Sequence, residues 1–362
     1  MNYSRPLVPE DLQRRPRGIH VERSIIAAAK AALTKTDPVG VAKTLWPNDQ
    51  TTHLLLRAAV SPTSTTSASA LSIDTAIDFV GALAPLSAAA RLINIGMRVS
   101  LTGRNSISIP RRVGGKAASD VAWIAEGSPI PAKKFALDEA TLGPTKKMAL
   151  LAGLTRELVE YTSGQDTVST LMREDFAASL DATMFSATSG ANQPNGLLVG
   201  VTPITASIAT EPTAAMVNDL EHLAGTVLSA GGSSVVYIAS PRQAASAGLR
   251  LLTPSPPPVW PCPALAAGTV IAIEPSAFVS AFGPEPRIGA STETAIHFES
   301  VSPQPIGSPG NIVASPTESA FQSELVIIRC ILDAAWCMRA TGMVAVITGA
   351  IWGAHERLSC IL

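Results

Sequence analysis

Residues Arg111–Lys147 constrain this chain most. The segment is rich in Gly, Pro, Lys and Ala, and its apolar residues (Val121, Trp123, Ile124, Ile130, Phe135, Leu137, Leu142) are scattered rather than grouped. It follows a short strand-like run, Ile107–Pro110, and precedes a continuous apolar run, Lys147–Leu154. Strand-like ends around a turn-rich middle predict a long two-stranded hairpin. An isolated hairpin cannot bury its own side chains. The arm must therefore lie on something else, and another copy of the same chain is one candidate. Trp123 sharpens the point. In such an arm it is either a local staple or an inter-subunit anchor, and the lack of a local core favours the anchor.

The chain after the arm reads differently. Lys147–Leu154 (KMALLAGL) is expected to be a buried strand. Thr155 is placed to cap a short helix through Tyr161, and Ser163-Gly164 is expected to break it. Asp166–Ala187 is the strongest helix in the sequence, with Val168, Leu171, Met172, Phe176, Leu180, Met184 and Phe185 recurring at steps of three and four. Gly190–Gly196 (GANQPNG) then turns the chain. Further on, Met216–Leu228 reads as an amphipathic helix, Val235–Ala239 as a buried strand, and Pro241 to Leu252 as a helix. Thr253–Pro263 (TPSPPPVWPCP) is expected to be a surface loop of polyproline character. Thr269–Ile273 and Ala295–Phe298 look like strands. Leu325–Ile331, Ala334–Arg339 and Val344–Ile347 read as three closely spaced ones.

Before the arm, His20–Leu33, Val39–Trp46 and Thr51–Val60 are predicted helices. Residues 1–60 carry nine Lys/Arg against five Asp/Glu, which suits a solvated helical arm better than a nucleic-acid contact. Ser61–Ser72 (SPTSTTSASALS) is a linker and marks the clearest change of composition. The whole order is α+β, not a regular βαβ series.

Composition narrows the function. The chain is 46% hydrophobic but only 4% aromatic, so its apolar character comes from small residues, and its apolar runs are too short or too interrupted to span a bilayer. A net charge of −1 gives no global electrostatic footprint for nucleic acid. Cys262, Cys330, Cys337 and Cys360 show no C-x-x-C pairing and read as reduced thiols. No phosphate-binding glycine motif, nucleophile elbow or H-x-x-x-H pair occurs. Glu157 and Glu160 suit a solvated helix face, and Asp219, His222 and Ser229 lie along one helix too far apart for a triad. No catalytic residue, cofactor or metal site is expected. Contact residues are sought in the arm instead: Trp123, Glu126, Ile130, Lys133, Lys134 and Phe135. Lys133-Lys134 and Lys146-Lys147 either keep the arm soluble or meet acidic residues of a neighbour, and sequence does not choose.

Val121–Leu198 resembles the major capsid proteins of tailed bacteriophages with the Hong Kong 97 fold. The resemblance rests on Trp123-Ile124-Ala125-Glu126-Gly127, Ile130-Pro131, Thr155-Arg156-Glu157-Leu158, Asp181 with Phe185, and Asn192–Leu198 (NQPNGLL). Phe321-Gln322, Val326–Arg329, Trp336, Arg339 and Val344–Thr348 look like the closing strands of the same family.

The resemblance implies an N-terminal helical segment (1–60) and a linker and arm leading into a peripheral domain (61–110). It implies an extended β-hairpin loop (111–147), a peripheral domain with a long spine helix (148–212; helix 166–187) and an axial domain (213–315). Return strands (316–352) and a tail (353–362) complete it. It further implies a structural protein of the virion capsid, assembled in the bacterial host cytoplasm. Its partners would be other copies in hexamers and pentamers, with scaffold, maturation protease and portal proteins, and packaged double-stranded DNA contacted non-specifically. No lysine stands near Glu126-Gly127, so cross-linking known in some family members is not carried over. An encapsulin-like shell around a protein cargo is the alternative, and an unrecognised hydrolase a remote one.

Overall fold

The computed structural model describes residues 19–58, 76, 78–101, 104–112, 123–126, 129–130, 137–160, 162–251, 257–283, 286–296 and 318–352. The Ser61–Ser72 linker, Lys133, Lys134, Phe135 and the 353–362 tail lie outside these residues. By packing, the chain divides into two compact units that interleave along the sequence. One comprises Met1–Ala82, Lys147–Glu174 and Gly283–Asp333; the other Leu83–Lys146, Asp175–Phe282 and Ala334–Leu362.

In the first unit, helices Ile19–Thr34, Pro38–Leu45 and Gln50–Ala58 pack through small residues. Ala27, Ala28, Val39, Ala42 and Leu56 form a core closed by Ile288 and Ala290 of the strand Arg287–Ser291. Alanines let the first helix approach that strand closely. Asp37 caps the second helix by accepting from the Gly40 amide, with Pro38 in the first turn. Arg287–Ser291 pairs antiparallel with Ile327–Ile331, and Arg287 clamps Asp333 with bonds of 2.9 and 3.0 Å.

Residues 19–58 are not a solvated arm. Glu22 and Asp49 are 5% and 2% exposed. Arg173 of the long helix grips Glu22 with two guanidinium nitrogens, the Nη2 bond measuring 2.6 Å. His20 (2.8 Å) and Arg23 (2.5 Å) converge on the Asp49 carboxylate, which also accepts from the Thr52 amide. Arg23 lies 5.3 Å from the centre of the Trp46 ring. The mildly basic composition hid this, because two of its five acids, Glu22 and Asp49, are buried partners of bases.

The second unit contains a five-stranded sheet ordered Ile204–Thr205, Val344–Thr348, Val270–Ile273, Val236–Ala239 and Val259–Pro261. Its three central strands are buried and largely apolar, save the exposed Thr348 at one end, as strands covered on both faces must be. Helix Pro212–Ser229 covers one face through Met216, Leu220, Leu223 and Val227, which meet Tyr237, Ala272, Ala345, Ile347 and Trp352. The Tyr237 hydroxyl donates to Leu220 O at 2.9 Å, and the Trp352 indole to Asp219 Oδ2 at 2.8 Å, so the deepest polar atoms are paired. At the sheet's end the Glu274 carboxylate accepts from the amides of Ser233 and Ser234 (2.6 Å each) and from the Ser276 hydroxyl. These bonds outweigh burial and hold its pKa below the usual carboxylate range.

Several expectations need correction. The long helix runs Thr162–Met184, so Ser163-Gly164 opens it rather than breaking it. A first-turn glycine costs little where amides have no partner within the helix. Its buried stripe is Val168, Met172, Phe176, Leu180 and Met184, while Leu171 is 52% exposed. The strand Lys146–Thr155 is half-exposed with alternating burial, not buried, because one face lacks cover. The first two closing strands are one, Leu325–Met338, running through Asp333; Arg287 neutralises that carboxylate at the strand's edge. Within the proline-rich loop, Val259–Pro261 pairs parallel with Tyr237–Ala239 at a sheet edge, where proline is tolerated, and Cys262 is fully buried.

The Asp49 cluster yields a prediction. Burial alone would raise the pKa of Asp49, but hydrogen bonds from His20, Arg23 and Thr52 outweigh it and hold the carboxylate well below its usual range. A depressed folded-state pKa stabilises fully above the unfolded value, about 3.9, and that stability is lost as pH falls below it. Asp49→Asn should therefore cost about 3 kcal/mol at pH 7 in chemical denaturation of the unassembled subunit. The gap to the natural chain should shrink below about pH 4.

Candidate inter-subunit contact site

The arm is an antiparallel hairpin at its base, where Ile107–Arg112 pairs with Leu137–Leu142. One face of this base is anchored: Ile109 and Leu142 pack with Leu101, Val279, Ala281 and Ala335. Gly143 closes the base with φ +107°, and a Cβ there would lie 2.6 Å from Asn105 O, so the turn requires glycine.

Beyond the base, the apolar residues of the arm that the structure describes are exposed. Trp123 is 104% exposed, Ile130 81% and Ile124 38%; Glu126 is also exposed. These residues share one segment, and Lys133, Lys134 and Phe135 lie outside the described residues. Burying one such side chain is worth roughly 1.5–3 kcal/mol.

The base adjoins a built turn. After the long helix, residues 190–199 fold back on its C-terminus: the Leu197 amide donates to Met184 O at 2.8 Å and the Leu198 amide to Ser186 O at 3.2 Å. Those carbonyls would otherwise lack partners. A Cβ on Gly196 would sit 2.0 Å from Ser186 O, which explains the glycine in NQPNGLL. The Trp336 indole donates to Asn195 O at 2.9 Å, and Lys146 Nζ to Ala191 O at 2.6 Å. Between this turn, the hairpin base and residues 335–338 lies an open cavity of about 480 Å³.

One buried carboxylate holds the surroundings. Asp181, 2% exposed, accepts from the Ser87 hydroxyl (2.5 Å) and from the amides of Ala88 (3.3 Å) and Ala89 (2.9 Å). These form the N-terminus of helix Ala88–Ile95, where the helix dipole favours an anion. Cys262 Sγ donates to it at 3.6 Å. Burial pushes the Asp181 pKa upward, and the hydrogen bonds pull it back only in part. In the sequence Asp181 stands out only by its spacing to Phe185, not by this task. Ser87 before three alanines was the available signal, a helix cap.

The catalytic candidates come apart. The Asp219 carboxylate is taken by the Ser207 amide and the Trp352 indole, while His222 and Ser229 are exposed on the helix. Glu160 pairs with Arg156 on the surface at 2.8 Å. Burial raises the thiols of Cys262 and Cys330 to about 12 and that of Cys337 to about 11, so none is a thiolate near neutrality. Among the described residues, no group of three His, Cys, Asp or Glu could hold a metal ion, and no helix is long and apolar enough to cross a membrane.

Removing Asp181 should be felt at once. Asp181→Ala strands the Ser87 hydroxyl and two amides in a buried place. It should lower subunit stability by about 3 kcal/mol in urea unfolding.

Residues 82–252 match the phage capsid family. No curated protein matches the chain. Among solved structures, it is similar to a chain of Mycobacterium phage Bobi (12% identity, TM-score 0.51, covering 71% of this chain and 89% of that one). It is also similar to a chain of Microbacterium phage Oxtober96 (15%, 0.50, 72% and 90%). A chain of the capsid of an empty GTA particle aligns at 13% identity and TM-score 0.47, covering 73% and 91%, and carries no weight here. Residues 82–252 thus carry the match to the phage capsid family, and the fold of the chain is shared with phage structures.

Proposed function

We propose that this structural protein self-assembles into hexamers and pentamers of an icosahedral shell enclosing double-stranded DNA. The observation that carries the reading is the arm. Its base is packed into one unit, yet Trp123, Ile124 and Ile130 stand uncovered in the single chain. An arm of this kind is a clasp awaiting a neighbour. Arg111–Lys147 then serves as the extended loop. The long helix belongs to the peripheral domain, and the five-stranded sheet with its helices to the axial domain. Glu126, Lys133 and Lys134 supply the arm's charged contacts, and Phe135 adds to its apolar ones. Scaffold, maturation protease and portal proteins are its expected partners during assembly in the host cytoplasm. The cargo-shell alternative has no observation on its side, and the chain acts without catalysis.

The arm supplies the test. Trp123→Ala should leave the subunit folded, with an unchanged circular dichroism spectrum and melting midpoint. It should weaken assembly by roughly 30-fold, the loss expected of one hot-spot aromatic. Analytical ultracentrifugation across a concentration series reads the effect directly. A variant that loses its fold, or one that assembles like the natural chain, would show that Trp123 is not the anchor.

A further inference from the structure

We propose that residues 19–58 are a permanent part of the mature subunit: a protease acting on this chain cannot strip them off, even by cutting in the linker that follows. The inference rests on the capsid reading above, which makes a maturation protease an expected partner. It concerns which part of the chain that partner can take away.

By sequence the segment looks detachable. Ser61–Ser72 (SPTSTTSASALS) is made almost wholly of small residues, a composition common at sites of proteolytic nicking. Three observations hold the segment in place nonetheless.

The first is how its leading helix is enclosed. A helix laid on a surface buries one stripe. Ile19–Thr34 buries Ala27, Ala28 and Ala29 in succession, with Val21, Ser24 and Ile25 before them. Three consecutive residues sweep about 200° of an α-helix, so this one is covered on more than one side. It meets helices Pro38–Leu45 and Gln50–Ala58 and, beyond the segment, the strand Arg287–Ser291 and the short helix Arg156–Glu160. It is an interior helix of the first unit, not an appendage.

The second is that the segment is braced as one piece. Asp49 accepts from Arg23 and pairs with His20, both of the first helix, and accepts from the Thr52 amide of the third. Trp46 O accepts from His53 Nε2 at 3.0 Å. A cut within Ser61–Ser72 leaves every one of these bonds intact.

The third is what release would expose. Arg173 would lose Glu22, and Ile288 and Ala290 would lose the alanine-lined core that covers them. Removing one partner of a buried ion pair is strongly destabilising. The pair Lys35–Glu293, at 3.1 Å, is exposed and adds little. None of these contacts runs through the linker, so the chain's continuity there is not what holds the helices.

Cutting after folding tests this directly, because nothing has to fold without the segment. A recognition sequence for a specific protease is inserted within Ser61–Ser72 of the full chain, and the folded, unassembled subunit is cut to completion. The two pieces should elute together in size-exclusion chromatography at micromolar concentration and separate only in denaturant. Arg173→Ala in the cut chain should raise the dissociation constant of the N-terminal piece about 100-fold. Lys35→Ala should change it about threefold or less. Mass spectrometry of particles assembled from the natural chain should find residues 19–58 in equimolar amount with the rest of the subunit.

An N-terminal piece that leaves the cut subunit without denaturant, or particles that have lost residues 19–58, would overturn the retention and leave the capsid reading intact. A natural chain that never assembles would remove both.

Discussion

A single buried carboxylate sets much of the second unit. Asp181 sits near the end of the long helix and faces the first turn of helix Ala88–Ile95, so one side chain satisfies the Ser87 hydroxyl, two unpaired amides and the Cys262 thiol. A charge taken out of water is tolerable only with such a set of donors. Three residues further on the long helix ends at Met184, and residues 190–199 fold back to cap it. From that turn follow the anchorage of Trp336 on Asn195 O and of Lys146 on Ala191 O. The base of the arm is thus held by polar geometry as well as by the small apolar cluster around Leu142.

Beyond this fixed base, Trp123, Ile124 and Ile130 are exposed. In a soluble monomer that would be a liability. In a subunit made to be covered by its neighbours it is the driving force, available only after folding is complete. Separating the two tasks has a physical advantage. The subunit's stability rests on buried ion pairs and sheet packing, so contact strength can change at Trp123 or Ile130 without disturbing the fold.

Much of this was legible in the sequence. The arm could be read from its sparse apolar residues, and the long helix from its three- and four-residue steps. The family signature in NQPNGLL now has a cause in the close approach of Gly196 to Ser186 O. What was hidden depended on contacts between distant residues. Glu22 meets Arg173 across 151 positions of sequence, so residues 19–58 looked like a solvated arm. Asp333 suggested a break in the last strands until its partner Arg287 was seen. The apolar run Lys147–Leu154 suggested a buried strand, yet its burial alternates and Leu151 is 58% exposed. The exposed residues of the arm were visible as unusual, but not the cavity at its base, because it is assembled from three separated stretches of chain.

The central claim is that the arm's apolar residues find their cover on another copy. Cryo-electron microscopy of assembled particles measures this most directly. The account predicts Trp123 enclosed by side chains of an adjacent subunit in every ring. Trp123 left in solvent, or folded back onto its own chain in the finished shell, would contradict it.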